Sequence, residues 1–569
     1  MSKYPARQHA TKLAAALLPL LPEEQRTKTH VVILQACPTT CRDDTDREMS
    51  FHQEANFNYL TGCLVPSATV VISIKYTNTN TKIESDSVAE ISHKLYIPPA
   101  DPLVTLWSVA PPTLEEAIAT YESDSISYTT DLVAPISSAS GQVIIHTLPI
   151  TIEFPPLPSI LGLGLEKGFQ GHTTEYLRNA LHIARLIKTD EEIQLIREAN
   201  RISSGAHEVL MRELGRFAAS RNGNGLAVKD GKKGGEKGQR TGKEALKEWE
   251  VESEMDAEAL FVAVCKRSGA EQAYLPIVAS GTRASTLHYV CNDRLFPSTA
   301  TPRHPGDTTF IPKPLAKGCC GSVPDHDHAT PATSFHSSAF QPQVLLMDAG
   351  CEWRGYASDI TRTIPIGNGG KFTDRAAEIY DTVLRMQKES EAMIRPGIHW
   401  DTLHLHTHKV LIDRFLELGI FTGGTAEEIL ASGISAAFYP HGLGHALGLD
   451  VHDSLQYLRS THIDIPPESK SSKLYTYLRI RQPLQKGFVL TVEPGCYFAP
   501  QMMEEHGVWE NKYVNKDKLR DYIPVGGVRI EDVVVVTKDG WENLTTVGRE
   551  RKWVEAVCSG EDQVVSNGH

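Results

Sequence analysis

The chain has 569 residues and a formal net charge of -13. That length exceeds one ordinary domain and predicts two domains with insertions, while the acidic balance argues against nucleic acid or an anionic membrane as a main partner, because phosphate binding needs a cationic face. No run of about 18 apolar residues occurs, so no transmembrane helix is expected, and ten cysteines scattered between positions 37 and 558 fit a reducing cytoplasm better than a disulfide framework.

In chain order, MSKYPARQHATKLAAALLPLLPEEQ predicts an amphipathic helix interrupted by Lys12, Pro19 and Pro22, not a signal-peptide core. Strand-like runs follow at 31–36, 68–76, 94–98 and 142–148, with a helical pattern at 113–122. This alternation predicts an α/β N-terminal domain over residues 1–175. From Tyr176 the apolar spacing turns helical, and Thr189 with Glu192 forms a capping-box signal for a new helix after Lys188. The second domain is expected over 176–569. Cys37 and Cys41, and the adjacent Cys319 and Cys320, read as buried or loop thiols.

Two stretches read as insertions. Residues 221–243 are rich in Gly and Lys with almost no apolar content, so they bury too little surface to offset ordering entropy and are expected to be disordered. Residues 301–341 are irregular and contain PDHDHAT, whose Asp325, His326, Asp327 and His328 resemble a metal cluster only by residue count. Neighbouring ligands in a floppy polar loop are seldom preorganised.

The chemistry starts after that loop. In QVLLMDAGCEWRGYASDITRTIPI an apolar strand ends in Asp348, Gly350 and Gly355 permit turning, and Asp359 precedes a returning strand. Either aspartate alone reads as a turn former, but a hairpin aims both carboxylates at one point. HGLGHALGLDVHD places His441 and His445 four apart, the spacing of a helical zinc clamp. Two glycines between them weaken a helix by roughly 1 kcal/mol each, so a loop or strand is the expected setting. An apolar strand in GFVLTVEPG ends in Glu493, and GGVRIEDVVVVT is expected to carry Arg529 and Glu531 on one face of a single strand. A glutamate in such apolar surroundings is costly to bury unpaired, which calls for Arg529 or a cation beside it. Four carboxylates with histidines nearby suit two divalent ions, with manganese, cobalt or zinc all compatible with hard oxygen donors and an imidazole.

These blocks, in this order, resemble the creatinase-fold aminopeptidases, Xaa-Pro aminopeptidase and the related Xaa-Pro dipeptidase (prolidase). QEANFNYLTGC at 53–63 and RLIKTDEEIQLIREAN extend the likeness over most of the chain. The resemblance implies an aminopeptidase P-type α/β domain followed by a pita-bread catalytic domain of two pseudo-symmetric halves, a repetition not visible in the sequence itself. It implies Asp348, Asp359, His445, Glu493 and Glu531 as metal ligands for two divalent ions, manganese first. It also implies catalytic or substrate roles for His288, His441, His452, Glu493 and Arg529. Asp450 and Asp453 then fall to supporting or turn roles.

The expected substrate is a peptide with proline second, whose scissile bond is a tertiary amide with no N–H to grip. Glu493 is the candidate proton shuttle and His452 the donor to the carbonyl oxygen. His288 and His441 shape the prolyl side, and Arg529 supports Glu531 or the substrate. Arg479 and Arg481 in YLRIRQPL are candidate substrate-binding groups, and an arginine here is what a dipeptidase uses for the substrate carboxylate. A homodimer is expected by analogy. A methionine aminopeptidase leaves the N-terminal domain unexplained, whereas a creatine-hydrolysing or purely binding relative would not need all five ligands.

Overall fold

The computed structural model describes residues 3–77, 89–132, 142–149, 151–157, 171–221, 251–296, 341–454 and 473–561. Apart from edge residues, the predicted insertions at 221–243 and 301–341, with Cys319, Cys320 and PDHDHAT, lie outside them.

The N-terminal alternation folds into one mixed sheet of β1 (Thr29–Gln35), β2 (Thr69–Tyr76), β3 (Ala89–Ile97), β4 (Ser125–Tyr128), β5 (Val143–His146) and β6 (His172–Thr173), in spatial order β4-β3-β2-β1-β5-β6. β1 pairs antiparallel with β2 and parallel with β5, and buries His30 through Leu34 without a break, as a strand covered on both faces must. Helices Ala6–Leu17 and Ala55–Thr61 pack into the same core. The helix expected at 113–122 runs Leu114–Thr120, opened by a reciprocal Thr113–Glu116 capping box.

The helical pattern from Tyr176 divides into helices Leu177–Leu186 and Asp190–Arg221. Thr189 N–H donates to Glu192 Oε2 at 2.8 Å and Glu192 N–H to Thr189 Oγ1 at 3.2 Å, the capping box read from the sequence. The first helix sets Leu177, Ala180, Leu181 and Ala184 into the N-terminal core, which continues into Leu447, Val489 and Val533 of the second half. The two halves therefore share an apolar seam.

The second half holds several short sheets. β7 (Glu271–Gln272) pairs with β10 (Cys351–Trp353), which turns back into β11 (Tyr356–Ala357). β9 (Gln343–Asp348) lies between β8 (Ile277–Ser280) and β12 (Thr361–Ile366). The β10–β11 turn uses Arg354 and Gly355 with φ of 50° and 83°, the left-handed pair that matches strand twist. A Cβ on Gly355 would lie 2.3 Å from Asn58 Nδ2, so the hairpin tip docks closely on the N-terminal domain.

The single strand expected over GGVRIEDVVVVT is corrected by the structure. It breaks into β15 (Gly527–Arg529) and β16 (Asp532–Val536), with Ile530 and Glu531 between them. β15 pairs with β14 (Gly495–Tyr497), whereas β16 pairs with β13 (Val489–Val492) and β17 (Trp541–Asn543). Both segments change sheets at the same level, one at Glu493–Pro494 and the other at Ile530–Glu531. Glu531 N–H leaves its own ladder and donates to the Thr361 carbonyl at 3.0 Å. Each acidic side chain thus sits at a crossing between sheets.

Candidate active site

Asp348 ends β9 directly opposite Thr361 of β12, so Asp359 returns beside it. A Cβ on Gly350 would lie 1.9 Å from the Ser358 carbonyl oxygen, a separation only glycine permits. The Tyr274 hydroxyl stands 2.6 Å from Oδ1 of both aspartates. One hydroxyl has one proton to donate, so the second short contact needs a protonated carboxyl or a nearby cation.

His445 comes in on an extended segment, not a helix. Leu447 N–H donates to Val489 O, Thr491 N–H to His445 O and Glu493 N–H to Leu443 O, so residues 443–447 run antiparallel along β13. Gly444 is pressed against that strand, where a Cβ would meet the Thr491 carbonyl oxygen at 2.0 Å. His445 Nδ1–H donates to the Ala446 carbonyl at 3.1 Å, which turns Nε2 toward Asp359 Oδ2 at 3.3 Å and Glu493 Oε1 at 3.5 Å, where a neutral ring offers its lone pair to a cation and a protonated one a hydrogen bond to Asp359.

Asp359, His445 and Glu531 offer ligand atoms within 4.8 Å of one another, and all three are buried. Asp348 and Glu493 line the same cavity, of about 410 Å³. Burial, then the charges of Asp359, Glu493 and Asp348, pushes the Glu531 carboxyl well above the carboxylate range. Burial also lifts Asp348 to about 7 against the pull of Arg529. Burial opposes ionisation of Asp359 too, but the hydrogen bond and charge of His445, when a proton occupies its Nε2, outweigh it and hold that carboxyl low. Carboxyl groups crowded in this way cannot all ionise unless cations join them. The donor set therefore fits divalent metal.

The remaining predicted residues surround this cluster. Arg529 Nη2 donates to Asp348 Oδ2 at 2.5 Å and Nε to Thr361 Oγ1 at 2.9 Å, while Thr361 Oγ1–H donates to Glu531 Oε2 at 2.7 Å. The expected support of Glu531 is thus indirect, and the direct partner is Asp348. His441 is fully engaged: Nδ1–H donates to the Gly442 carbonyl and Nε2 accepts from the Tyr497 hydroxyl, both at 2.8 Å. Burial and the Arg529 charge push its pKa down to about 3, so the ring is a neutral wall. His452 packs edge-on to His445 with ring centroids 4.5 Å apart, and its Nε2 accepts from Arg479 Nη1 at 2.6 Å. Burial and the neighbouring His445 hold it neutral, with a pKa of about 3, so its proton resides on Nδ1. His288 lines the cavity from a turn, its pKa lowered by partial burial and by Arg529.

Arg481 differs from expectation. Its Nε donates to Asp401 Oδ1 at 2.8 Å and its Nη2 lies 2.7 Å from Asp401 Oδ2, with the guanidinium over the Tyr475 ring, and it does not line the cavity that Arg479 reaches. A carboxylate from helix Trp400–Glu417 claims it. Tyr274, Thr361, Thr491 and Tyr497 complete the site unforeseen. Tyr274 carries no local signal, while the other three stand within two to four residues of a predicted ligand.

Residues 194–538 match the sequence model of metallopeptidase family M24, and residues 7–144 match that of the aminopeptidase P N-terminal domain. The chain belongs to metallopeptidase family M24. A protein of Pyricularia oryzae described as "Probable Xaa-Pro aminopeptidase" is 35% identical over 564 residues, 98% of this chain and 97% of that one. One of Paracoccidioides brasiliensis with the same description is 34% identical over 563 residues, again 98% and 97%. Among solved structures, proline aminopeptidase P II from Yersinia pestis matches with a TM-score of 0.63 at 24% identity, covering 98% of this chain and all of that one. Zinc-substituted E. coli aminopeptidase P in complex with product matches at 0.64 and 24%, covering 98% and 99%. At that identity the likeness carries the fold, an aminopeptidase P-type α/β domain followed by a pita-bread metallopeptidase domain. Among the described residues of this family M24 member, no helix is long and apolar enough to cross a membrane.

Proposed function

We propose that this chain is a metal-dependent aminopeptidase that releases the N-terminal residue from peptides with proline in the second position. The observation that carries the reading is the buried Asp359–His445–Glu531 cluster with Asp348 and Glu493 around it, on a chain whose relatives, matched over 97% of their length, are described as "Probable Xaa-Pro aminopeptidase". The proposed ligands are Asp348, Asp359, His445, Glu493 and Glu531 for two ions, manganese first because the donors are oxygen with one imidazole. Bound there, divalent ions supply Lewis acidity and a water acidic enough to serve as nucleophile near neutral pH.

The chain's own groups do the rest. Glu493 borders the cavity and takes up the proton released on attack, then returns it to the leaving prolyl nitrogen. His452, neutral with its proton on Nδ1, donates to the carbonyl oxygen as negative charge develops there. His441 has no free nitrogen while Tyr497 and Gly442 hold it, so it presents a fixed ring against the proline. His288 closes the cavity beside it. Nothing in this arrangement requires an N–H on the scissile amide, which an Xaa-Pro bond lacks.

A dipeptidase is the second reading, favoured by the Arg479 guanidinium in the cavity, where it suits a substrate carboxylate. Hydrolysis of Xaa-Pro is to be compared with that of Xaa-Pro-Yaa-Zaa, with manganese and with a chelator. Cleavage of the longer peptide, lost on chelation, is expected; cleavage of the dipeptide alone would overturn the aminopeptidase reading.

A further inference from the structure

The loop carrying His452 is fastened across the domain seam by a cluster of bonds centred on one guanidinium. Arg185, in the last turn of helix Leu177–Leu186, is buried. Its Nη2 donates to Asp450 Oδ2 at 2.5 Å and to Asp453 Oδ1 at 2.7 Å, while Nη1 donates to Asn56 Oδ1 at 2.8 Å on N-terminal helix Ala55–Thr61. Lys188 Nζ reaches the other oxygen of Asp453 at 2.7 Å. Asp450 and Asp453 lie on either side of His452. The same loop is pinned by Ser454 Oγ–H, which donates to the His182 carbonyl at 3.2 Å, and by Ala357 N–H, which donates to the Gly448 carbonyl at 2.9 Å. A Cβ on Gly448 would fall 2.4 Å from Asp453 Oδ2 and 3.0 Å from Lys188 Cε, so the backbone folds tightly around the ion pair.

We infer that Arg185 is a positioning residue for His452, locking the 448–454 loop to the N-terminal domain so that the imidazole stays edge-on to His445 with Nε2 toward Arg479. This rests on the proposed role of His452 at the scissile carbonyl. Arg185 serves three acceptors on two separate segments, which a planar fork satisfies and an ammonium does not. Losing it leaves Asp453 with Lys188, and Asp450, whose side chain is half exposed, with water, while Glu54 keeps its hydrogen bonds from Phe57 N–H and Asn56. What is lost is the tie that runs from the loop through the guanidinium to Asn56, while the Ser454–His182 and Lys188–Asp453 bonds remain and keep the loss partial. The N-terminal domain thereby contributes to catalysis without touching the substrate.

The test uses the full-length, manganese-loaded protein and an Xaa-Pro-Yaa-Zaa peptide, comparing Arg185→Met, Asp450→Asn, His452→Ala and the two double variants with His452→Ala. Arg185→Met is expected to lower kcat about 10–100-fold, the scale of a small misplacement near the reacting atoms, with KM and bound metal per chain little changed. Asp450→Asn is expected to lower kcat less. Neither is expected to reduce the residual kcat of His452→Ala further. An equal fractional loss in the presence and absence of His452, or an unchanged kcat in Arg185→Met, would overturn the inference. Should Arg185→Met fail to fold, the exposed Asp450→Asn carries the same comparison, and an unchanged kcat or an additive loss there would overturn it. Wild-type kcat in His452→Ala would instead remove the underlying reading of His452, an outcome distinct from additivity with an impaired His452→Ala.

Discussion

Arg529 and Asp348 meet at 2.5 Å in the wall of the cavity, and Thr361 passes the same guanidinium's hold on to Glu531. Arg529 is also 3.0 Å from the Tyr497 hydroxyl, which donates to His441. One cation thus fixes two acidic groups of the metal-suited cluster and a wall of the substrate cavity. Arg529→Lys keeps the charge but reaches fewer of these partners, and a loss of about 10–100-fold in kcat/KM is expected, the usual scale for groups that orient metal ligands. Steady-state kinetics at saturating manganese check it. Wild-type efficiency in the lysine variant would show that charge alone suffices.

Removing metal should weaken the fold as well as the activity. Burial and mutual repulsion push Glu531 and Asp348 toward their neutral forms when no cation neutralises them. Any ion that binds only the folded chain stabilises it, by about 2.7 kcal/mol at a hundred times its Kd. Chelation is therefore expected to lower the apparent unfolding temperature, and manganese to restore it. His445→Ala, which removes the imidazole of the cluster, should show neither the restoration nor turnover. A manganese-dependent rise in its unfolding temperature equal to that of the wild type would contradict the assignment of His445.

Much of this arrangement is legible in the residues themselves. VLLMD and DITRT announce two strands that place Asp348 and Asp359 together, and Thr189 with Glu192 marks where one helix ends and another begins. Gly444 spoils a helix, and it is the residue that lets the His445 segment lie flat on β13. Other parts leave no local trace. Tyr274 bonds both aspartates from 74 and 85 positions upstream, in a segment without periodic signal. The run VVVV hides the sheet crossing at Glu531, because an apolar strand reads alike whichever sheet it joins. Arg479 and Arg481 share a local pattern, and only tertiary placement sends one to His452 and the other to Asp401.

The N-terminal sheet carries an acid-sensitive pair away from this site. His30 Nε2–H donates to the Gln25 carbonyl at 3.1 Å, so its Nδ1 accepts from His146 Nε2–H at 2.9 Å. His30 must be neutral to accept, while burial is what keeps the His146 donor neutral. Burial holds His30 at about 4, and burial with the neighbouring His30 holds His146 at about 3, against an ordinary 6.5. The folded pKa values lie below the unfolded ones, so stability from the neutral pair is complete above about pH 6.5. As pH falls the unfolded chain binds protons first, and stability declines until both folded groups titrate. His30→Gln is expected to reduce the fall in unfolding temperature between pH 7.5 and pH 5. An undiminished fall would place the acid sensitivity elsewhere.

Gly444 offers the sharpest mutation in the cluster's framework. Its neighbours in HGLGHALG are held by three backbone hydrogen bonds to β13 and the residue that follows it, from Leu447 N–H to Val489 O at 3.0 Å, from Thr491 N–H to His445 O at 2.9 Å and from Glu493 N–H to Leu443 O at 2.8 Å. These bonds place His445 and Glu493 on facing strands, 3.5 Å apart at Nε2 and Oε1. A methyl group at position 444 would sit 2.0 Å from the Thr491 carbonyl oxygen, and backbone cannot yield as a flexible side chain does. The two strands must separate, lengthening the bonds that bracket the clash and carrying His445 away from Asp359 and Glu531. Gly444→Ala is therefore expected to lose most of its bound manganese and at least about 100-fold in kcat/KM, since a shift near 1 Å costs on that order. Gly433→Ala, at a helix end where nothing lies within 4 Å of the added carbon, tests the cost of leaving a positive φ without disturbing the site. It is expected to lower the unfolding temperature while full metal content and kcat/KM remain. Equal metal loss in the two variants would mean that general destabilisation, and not the separation of His445 from β13, empties the cluster.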